Sequence, residues 1–202
     1  MIKKYFSLLI FPILSIIFLG LVVADNQHVL GNQDAVMYKY IQSARQGQVG
    51  YGFNSYYAND ISFAGIEPGD LILGGYPGCA YGRFSHAGIY IGDGKVLESF
   101  GDLGVNVQSI EHYRSYREIC LLRVKADPEI KKRTVDYAIK QQGAIFYPLA
   151  FKNDERYWNC SKIIWKAYRD QGIELDPEND LWVAPDIFYK NDIVEVIREK
   201  RV

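Results

Sequence analysis

Short apolar runs separated by Gly, Asp and Pro recur through the middle of the chain. Such runs, a few residues long and bounded by turn-forming residues, are typical of β-strands. The pattern predicts strands over 71–76, 84–91, 95–100 and 118–125, and a final strand over 193–197. Because the connections are short, as at Gly92-Asp93-Gly94, we expect antiparallel pairing.

Other stretches place apolar residues at helical spacing. The predicted helices cover 31–46, 127–143 and 159–171, and 183–188 is predicted as a turn or short helix. Asn32 is a suitable cap for the first helix, Pro128 suits the first turn of the second, and Cys160 lies at the start of the third. Together these elements predict an α+β fold in which an antiparallel sheet packs against helices, including the helix that carries Cys160.

The N-terminus differs in composition from the rest of the chain. Lys3 and Lys4 precede an apolar run that ends near Val23, so residues 1–24 have the pattern of a cleavable export signal. An uncleaved segment would instead anchor the protein to a membrane, and the sequence leaves both alternatives open. We therefore expect an extracytoplasmic location, either periplasmic or secreted. Residues 25–67 are predicted as a helix followed by a Tyr- and Gly-rich segment, and 68–202 as one catalytic domain.

Charge and motifs narrow the classes of partner. The formal net charge is −1, which provides no basic field for a nucleic acid, so nucleic acid is not an expected partner. The chain contains no CxxC, HExxH or EF-hand pattern, and we predict neither a metal site nor a cofactor. His86, His112 and a cysteine could meet around zinc, but their spacing matches no recognised zinc motif. Glu111-His112 is interpreted as a surface helix or turn pair.

The chain has three cysteines, Cys79, Cys120 and Cys160. An odd number in an exported protein means that at least one is free, paired between molecules, or catalytic. A disulfide between Cys79 and Cys120 stays open, because sequence does not fix the distance between their Cα atoms. A helix N-terminus and a nearby imidazole both lower a thiol pKa, which makes Cys160 the candidate nucleophile.

A hairpin links the candidate base to a carboxylate. If Gly92-Asp93-Gly94 forms a three-residue loop, Ile91 pairs with Lys95, and His86 and Glu98 are diagonal neighbours on one face. Glu98 would then orient His86, and His86 would activate Cys160. A two-residue loop would place His86 and Glu98 on opposite faces, and Asp102 is the fallback.

The order of these motifs resembles the circularly permuted NlpC-type papain-like cysteine hydrolases, the YiiX/YebB-like group. The resemblance rests on Pro68-Gly69-Asp70-Leu71-Ile72-Leu73, Ser85-His86-Ala87-Gly88-Ile89-Tyr90, Val96-Leu97-Glu98 and Cys160-Ser161, and it covers roughly 68–197. In that group the histidine precedes the cysteine along the chain, as it does here. The resemblance implies a circularly permuted papain-like fold, with Cys160 as nucleophile, His86 as base and Glu98 as the third polar member.

Two positions depart from the family pattern. Lys162 stands where the family commonly has an acid, and Tyr147-Pro148 where it commonly has Tyr-Asp. Tyr147 is a predicted substrate contact. The resemblance implies hydrolysis of an amide or peptide bond, with cell-wall peptide as the leading substrate. Cleavage or transfer of lipid acyl groups is the alternative, since relatives of lecithin retinol acyltransferase act on lipids, and a non-catalytic binding module is a third.

Overall fold

The predicted strands form one antiparallel sheet, in a computed structural model that describes residues 2–25, 31–33, 35–177 and 180–202. The strands are β1 (Leu71–Gly75), β2 (His86–Gly92), β3 (Lys95–Phe100), β4 (Gly104–Ser109), β5 (Glu118–Val124), β6 (Ile145–Phe146), β7 (Tyr157–Trp158) and β8 (Val194–Arg201). Six of them pair in the order β4-β3-β2-β1-β5-β8, and β6 and β7 form a separate parallel pair. Strand β4, which closes one edge of the sheet, was absent from the sequence prediction.

Five α-helices accompany these strands in the described part of the chain. They are α1 (Ile2–Asp25), α2 (Val36–Arg45), α3 (Pro128–Lys140), α4 (Cys160–Arg169) and α5 (Asp186–Tyr189), and 3₁₀ helices cover Gly101–Leu103 and Ile110–Ser115. Helix α3 begins at Pro128 as predicted, but α2 begins after Ala35, so the predicted cap Asn32 does not stand at its N-terminus. Within the described residues, no helix is long and apolar enough to cross a membrane.

The sheet separates two apolar cores. Alternate residues of β1 point to opposite faces, so Leu71 and Leu73 enter one core and Ile72 enters the other. The first core includes buried side chains of α3 and α4, among them Ile164 and Trp165. The second lies under the 3₁₀ helix Ile110–Ser115 and contains several tyrosines. The predicted α+β architecture, with the cysteine helix packed on the sheet, is confirmed.

The turn between β2 and β3 differs from the predicted one. Gly92, not Ile91, pairs with Lys95, so the loop has two residues, and both Asp93 and Gly94 have positive φ. Such a loop alone would put His86 and Glu98 on opposite faces. A register shift between Tyr90 and Gly92 adds one residue to β2 and restores the pairing of Ile89 with Leu97. The predicted loop was therefore wrong, whereas the predicted register beyond it was right.

Candidate active site

Cys160 occupies the first position of α4. The Asn159 side chain caps the helix, since its Oδ1 accepts hydrogen bonds from the N–H groups of Ser161 at 3.2 Å and Lys162 at 2.8 Å. The helix dipole places partial positive charge at this end, which favours a thiolate. The Cys160 residue is partly exposed, and its Sγ lies 3.6 Å from Ser161 Oγ.

A hydrogen bond docks this helix start on the sheet. Ser99 Oγ donates to the carbonyl of Trp158 at 3.1 Å, and both residues are buried. Ser99 follows Glu98 in β3, and Trp158 precedes Cys160 by two residues. The same bond therefore fixes the cysteine helix beside the strand that carries the candidate carboxylate.

Lys162 lies inside the protein. The residue is 1% exposed, and its Nζ donates to the carbonyl of Tyr157 at 2.9 Å and to that of Asp154. Its ammonium also lies 5.1 Å from the centroid of the Trp158 ring. Burial lowers the pKa of Lys162, against the charges of Asp154 and Glu155. This cation thus holds the segment before α4 in place.

His86 and Glu98 form a buried pair, as the register requires. His86 Nε2 lies 2.9 Å from Glu98 Oε2, and the two residues are 4% and 2% exposed. Burial opposes charge on the imidazole, but the charges of Glu98 and Cys160 outweigh it and raise the pKa of His86 to about 10. Burial also opposes charge on Glu98, yet the charge of His86 and hydrogen bonding to His112 and His86 lower the pKa of Glu98 to about 2.

The Cys160 thiol is coupled to this pair. Burial would raise its pKa, but the charge of His86 and hydrogen bonding to His86, Ser161 and the Ala87 backbone lower the pKa of Cys160 below its usual value. Because Nε2 of His86 faces Glu98, the other ring nitrogen, Nδ1, is left for the thiol. The structure thus brings together all three residues that the sequence singled out.

Two tyrosines on the second face of the sheet enclose the His86–Glu98 pair. Tyr113 donates its hydroxyl to Glu98 Oε2 at 3.2 Å, and the ring of Tyr116 lies parallel to the imidazole with centroids 6.1 Å apart. Glycines make room for both rings. A Cβ at Gly88 would come within 2.6 Å of the Tyr113 hydroxyl, and one at Gly74 within 2.5 Å of the Tyr116 ring. Only glycine at these two positions lets the tyrosines reach the pair.

His112 is the site residue that the sequence interpretation missed. It was taken for part of a surface pair with Glu111, yet its Nε2 lies 3.3 Å from Glu98 Oε2. It stands in the 3₁₀ helix Ile110–Ser115, next to Tyr113, and its side chain is 34% exposed. Position along the chain carried no signal for this contact, because the 3₁₀ helix that makes it follows the unpredicted strand β4.

The remaining predicted residues lie near the site or outside it. Tyr147 is 46% exposed, packs on the Tyr157 ring at 5.7 Å between centroids, and donates its backbone N–H to the Trp158 carbonyl. Asp102 is exposed in the 3₁₀ helix Gly101–Leu103, and Glu98 occupies the place beside the imidazole. Cys79 and Cys120 are both free thiols, so the disulfide that the sequence left open is not formed.

Comparison with known proteins assigns the chain to a family. A family model of the permuted papain-like amidase enzymes (YaeF/YiiX, C92 family) matches residues 66–192. This chain belongs to the permuted papain-like amidases. Membership in this family supports an enzyme of the papain-like amidase and peptidase class, a cysteine hydrolase at the family level.

A solved structure shares the fold of this permuted papain-like amidase. It is the crystal structure of the metalloprotein YiiX from Escherichia coli O157:H7, with a TM-score of 0.57 and 14% sequence identity. The alignment covers 67% of this chain and 98% of YiiX. At this identity the likeness concerns the fold alone. No curated protein matches the sequence.

Proposed function

We propose that this amidase hydrolyses an amide or peptide bond through a Cys160-His86-Glu98 triad, with peptides of the cell wall as the leading substrate class. The observation that carries the proposal is the buried His86–Glu98 pair at 2.9 Å, coupled to a thiol at a capped helix N-terminus. A helix N-terminus and an adjacent imidazole are the two features that turn a thiol into a nucleophile.

The first half of the reaction forms an acyl-enzyme. The Cys160 thiolate attacks the carbonyl carbon, and the backbone N–H of Cys160, at the helix N-terminus, stabilises the developing oxyanion. His86 then donates the proton on Nδ1 to the leaving amine as the C–N bond breaks, while Glu98 keeps the ring oriented. The product is a thioester on Cys160 and a free amine.

The second half regenerates the thiol. Neutral His86 takes a proton from water as that water attacks the thioester, and the C–S bond breaks to release the acid and the thiolate. Tyr147, exposed near the helix start, is proposed to contact the substrate. The charged and apolar pattern of residues 1–24 supports an extracytoplasmic location for this reaction.

Incubation with cell-wall fragments and, separately, with lipids tests the proposal by mass spectrometry. We expect mass changes in the peptide fragments that correspond to addition of water, and we expect Cys160→Ala to abolish them. Loss of acyl groups from lipids alone would favour the lipid acyl hydrolase alternative. Binding without any product, unchanged in Cys160→Ala, would contradict an enzymatic role and favour a binding module.

A further inference from the structure

Three potential metal ligands converge behind the thiol. One nitrogen each of His86 and His112 and one oxygen of Glu98 all lie within 4.8 Å of one another. The carboxylate oxygen is central, at 2.9 Å from His86 Nε2 and 3.3 Å from His112 Nε2. Tetrahedral zinc with bonds of roughly 2.0–2.2 Å needs its ligand atoms about 3.3 Å apart. Small side-chain movements would therefore bring these atoms to coordination distance.

One nitrogen of His112 is directed at this position. His112 Nδ1 lies 2.6 Å from the carbonyl oxygen of Ser109, which can only accept, so Nδ1 carries a proton. Nε2 is therefore the nitrogen that can bind a metal ion, and it lies 3.3 Å from the Glu98 carboxylate oxygen Oε2. A backbone carbonyl on the outer nitrogen is also the usual support of a metal-bound histidine.

The burial of the three side chains would let an ion enter the cluster from one side, at His112. His86 and Glu98 are almost fully buried, whereas the His112 side chain is 34% exposed and gives the cluster an opening to solvent. Tyr113 donates to the same oxygen of Glu98 at 3.2 Å and so holds the carboxylate toward the histidines. Two imidazoles and one carboxylate, with a position open to water, form a donor set well suited to Zn²⁺.

We propose that His86, Glu98 and His112 bind a divalent metal ion, best matched by Zn²⁺, and that this ion reversibly inhibits the hydrolase. Metal binding requires the Nε2 lone pair of His86, so the proton on that atom leaves to solvent and the ring keeps its proton on Nδ1. His86 can then no longer alternate between one and two protons during turnover. The inhibition rests on the proposed function, whereas the metal site itself does not.

The test separates the metal site from the hydrolase. Full-length Cys160→Ala protein, stripped with a chelator, is titrated with Co²⁺ and followed by visible absorption, with Zn²⁺ as competitor. We expect one equivalent to bind, and His112→Ala to weaken binding more than about 100-fold, because it removes a direct ligand. His112→Gln serves as a second variant that keeps a polar side chain. Glu111→Gln, adjacent but outside the cluster, is the matched control and should bind Co²⁺ like the parent.

Each outcome decides one part of the proposal. Absence of Co²⁺ binding, or binding that both His112 variants leave unchanged, overturns the metal site. With Cys160 present, Zn²⁺ should slow hydrolysis and a chelator should restore it; faster hydrolysis with Zn²⁺ overturns the inhibition. Metal binding that depends on His112, in a protein that hydrolyses no substrate, would contradict the proposed function and leave the metal site standing.

Discussion

The three thiols of this chain lie in two kinds of environment. Cys120 is fully buried in β5, where burial raises its pKa to about 12, and burial also raises the pKa of Cys79. Cys160 is subject to the same effect of burial, yet the charge of His86 and the surrounding hydrogen bonds lower its pKa. Depth inside the protein therefore does not set thiol reactivity here; an adjacent imidazole and a helix N-terminus do.

The largest expected contrast is between Cys160→Ala and Cys120→Ala. Removing the nucleophile should lower hydrolysis by at least about 10⁴-fold, because the acyl-enzyme forms on the Cys160 sulfur. Cys120→Ala should keep the activity, since that sulfur contacts the apolar core and not the triad. Initial rates on the identified substrate measure both. Similar losses in the two variants would remove the distinction between the thiols.

Glu98→Gln tests whether the charge of Glu98, acting through His86, makes Cys160 more reactive than Cys79 and Cys120. The charge of Glu98 is a main cause of the raised pKa of His86, so the variant should lower that pKa. We expect a loss of about 10²-fold in kcat/KM, in the range of general acid–base effects. The reactive form needs protonated His86, whose pKa of about 10 sets the alkaline limit of activity. In Glu98→Gln the alkaline limit of the pH–rate profile should therefore move to lower pH. An unchanged alkaline limit would contradict the role of Glu98.

The buried thiol of Cys120 should make the free energy of unfolding depend on pH in the alkaline range. Its pKa is about 12 in the folded protein against 9.0 for the unperturbed thiol, so between these values the folded state binds more protons. The free energy of unfolding should fall as pH rises from 9 toward 12, by at most about 1.4 kcal/mol per pH unit. Urea unfolding of wild type and Cys120→Ala measures the difference. If the two proteins decline in parallel, the burial of Cys120 does not control its titration.

Tyr113→Phe should have the smallest effect. It removes one hydrogen bond to Glu98 but leaves the His86 contact intact. We expect a loss of about fivefold in kcat, in line with about 1 kcal/mol for a single hydrogen bond. Single-turnover kinetics would measure it, and a loss as large as that of Glu98→Gln would mean that Tyr113 takes part in the chemistry directly.

The contrast between thiols was only partly accessible from sequence. Cys160 was identified because apolar spacing predicts a helix over 159–171 with the cysteine at its start, and this is a local signal. The His86–Glu98 register was predicted through a loop that the structure lacks. Asp93-Gly94 suits a two-residue turn, and the compensating bulge at Ile91 has no distinctive residue of its own.

The residues that enclose the His86–Glu98 pair could not be predicted from local sequence signals. His112 and Tyr113 reach the pair from a 3₁₀ helix and Tyr116 from the residue that follows it, and this segment is placed by packing over Gly74 and Gly88. Glycine within a strand indicates a close approach but does not say by which residue. The burial of Lys162 was likewise not predictable, because helical spacing alone does not reveal the carbonyls that its ammonium binds.

The most direct test of the account is the rate of iodoacetamide labelling of each cysteine against pH, measured by mass spectrometry in wild type and His86→Ala. The account predicts that Cys160 reacts rapidly below the pH at which an ordinary thiol ionises, that His86→Ala abolishes this reactivity, and that Cys79 and Cys120 react slowly in both proteins. Labelling of Cys160 at the rate of a model thiol, or labelling indifferent to His86→Ala, would contradict the activated nucleophile and with it the proposed hydrolase.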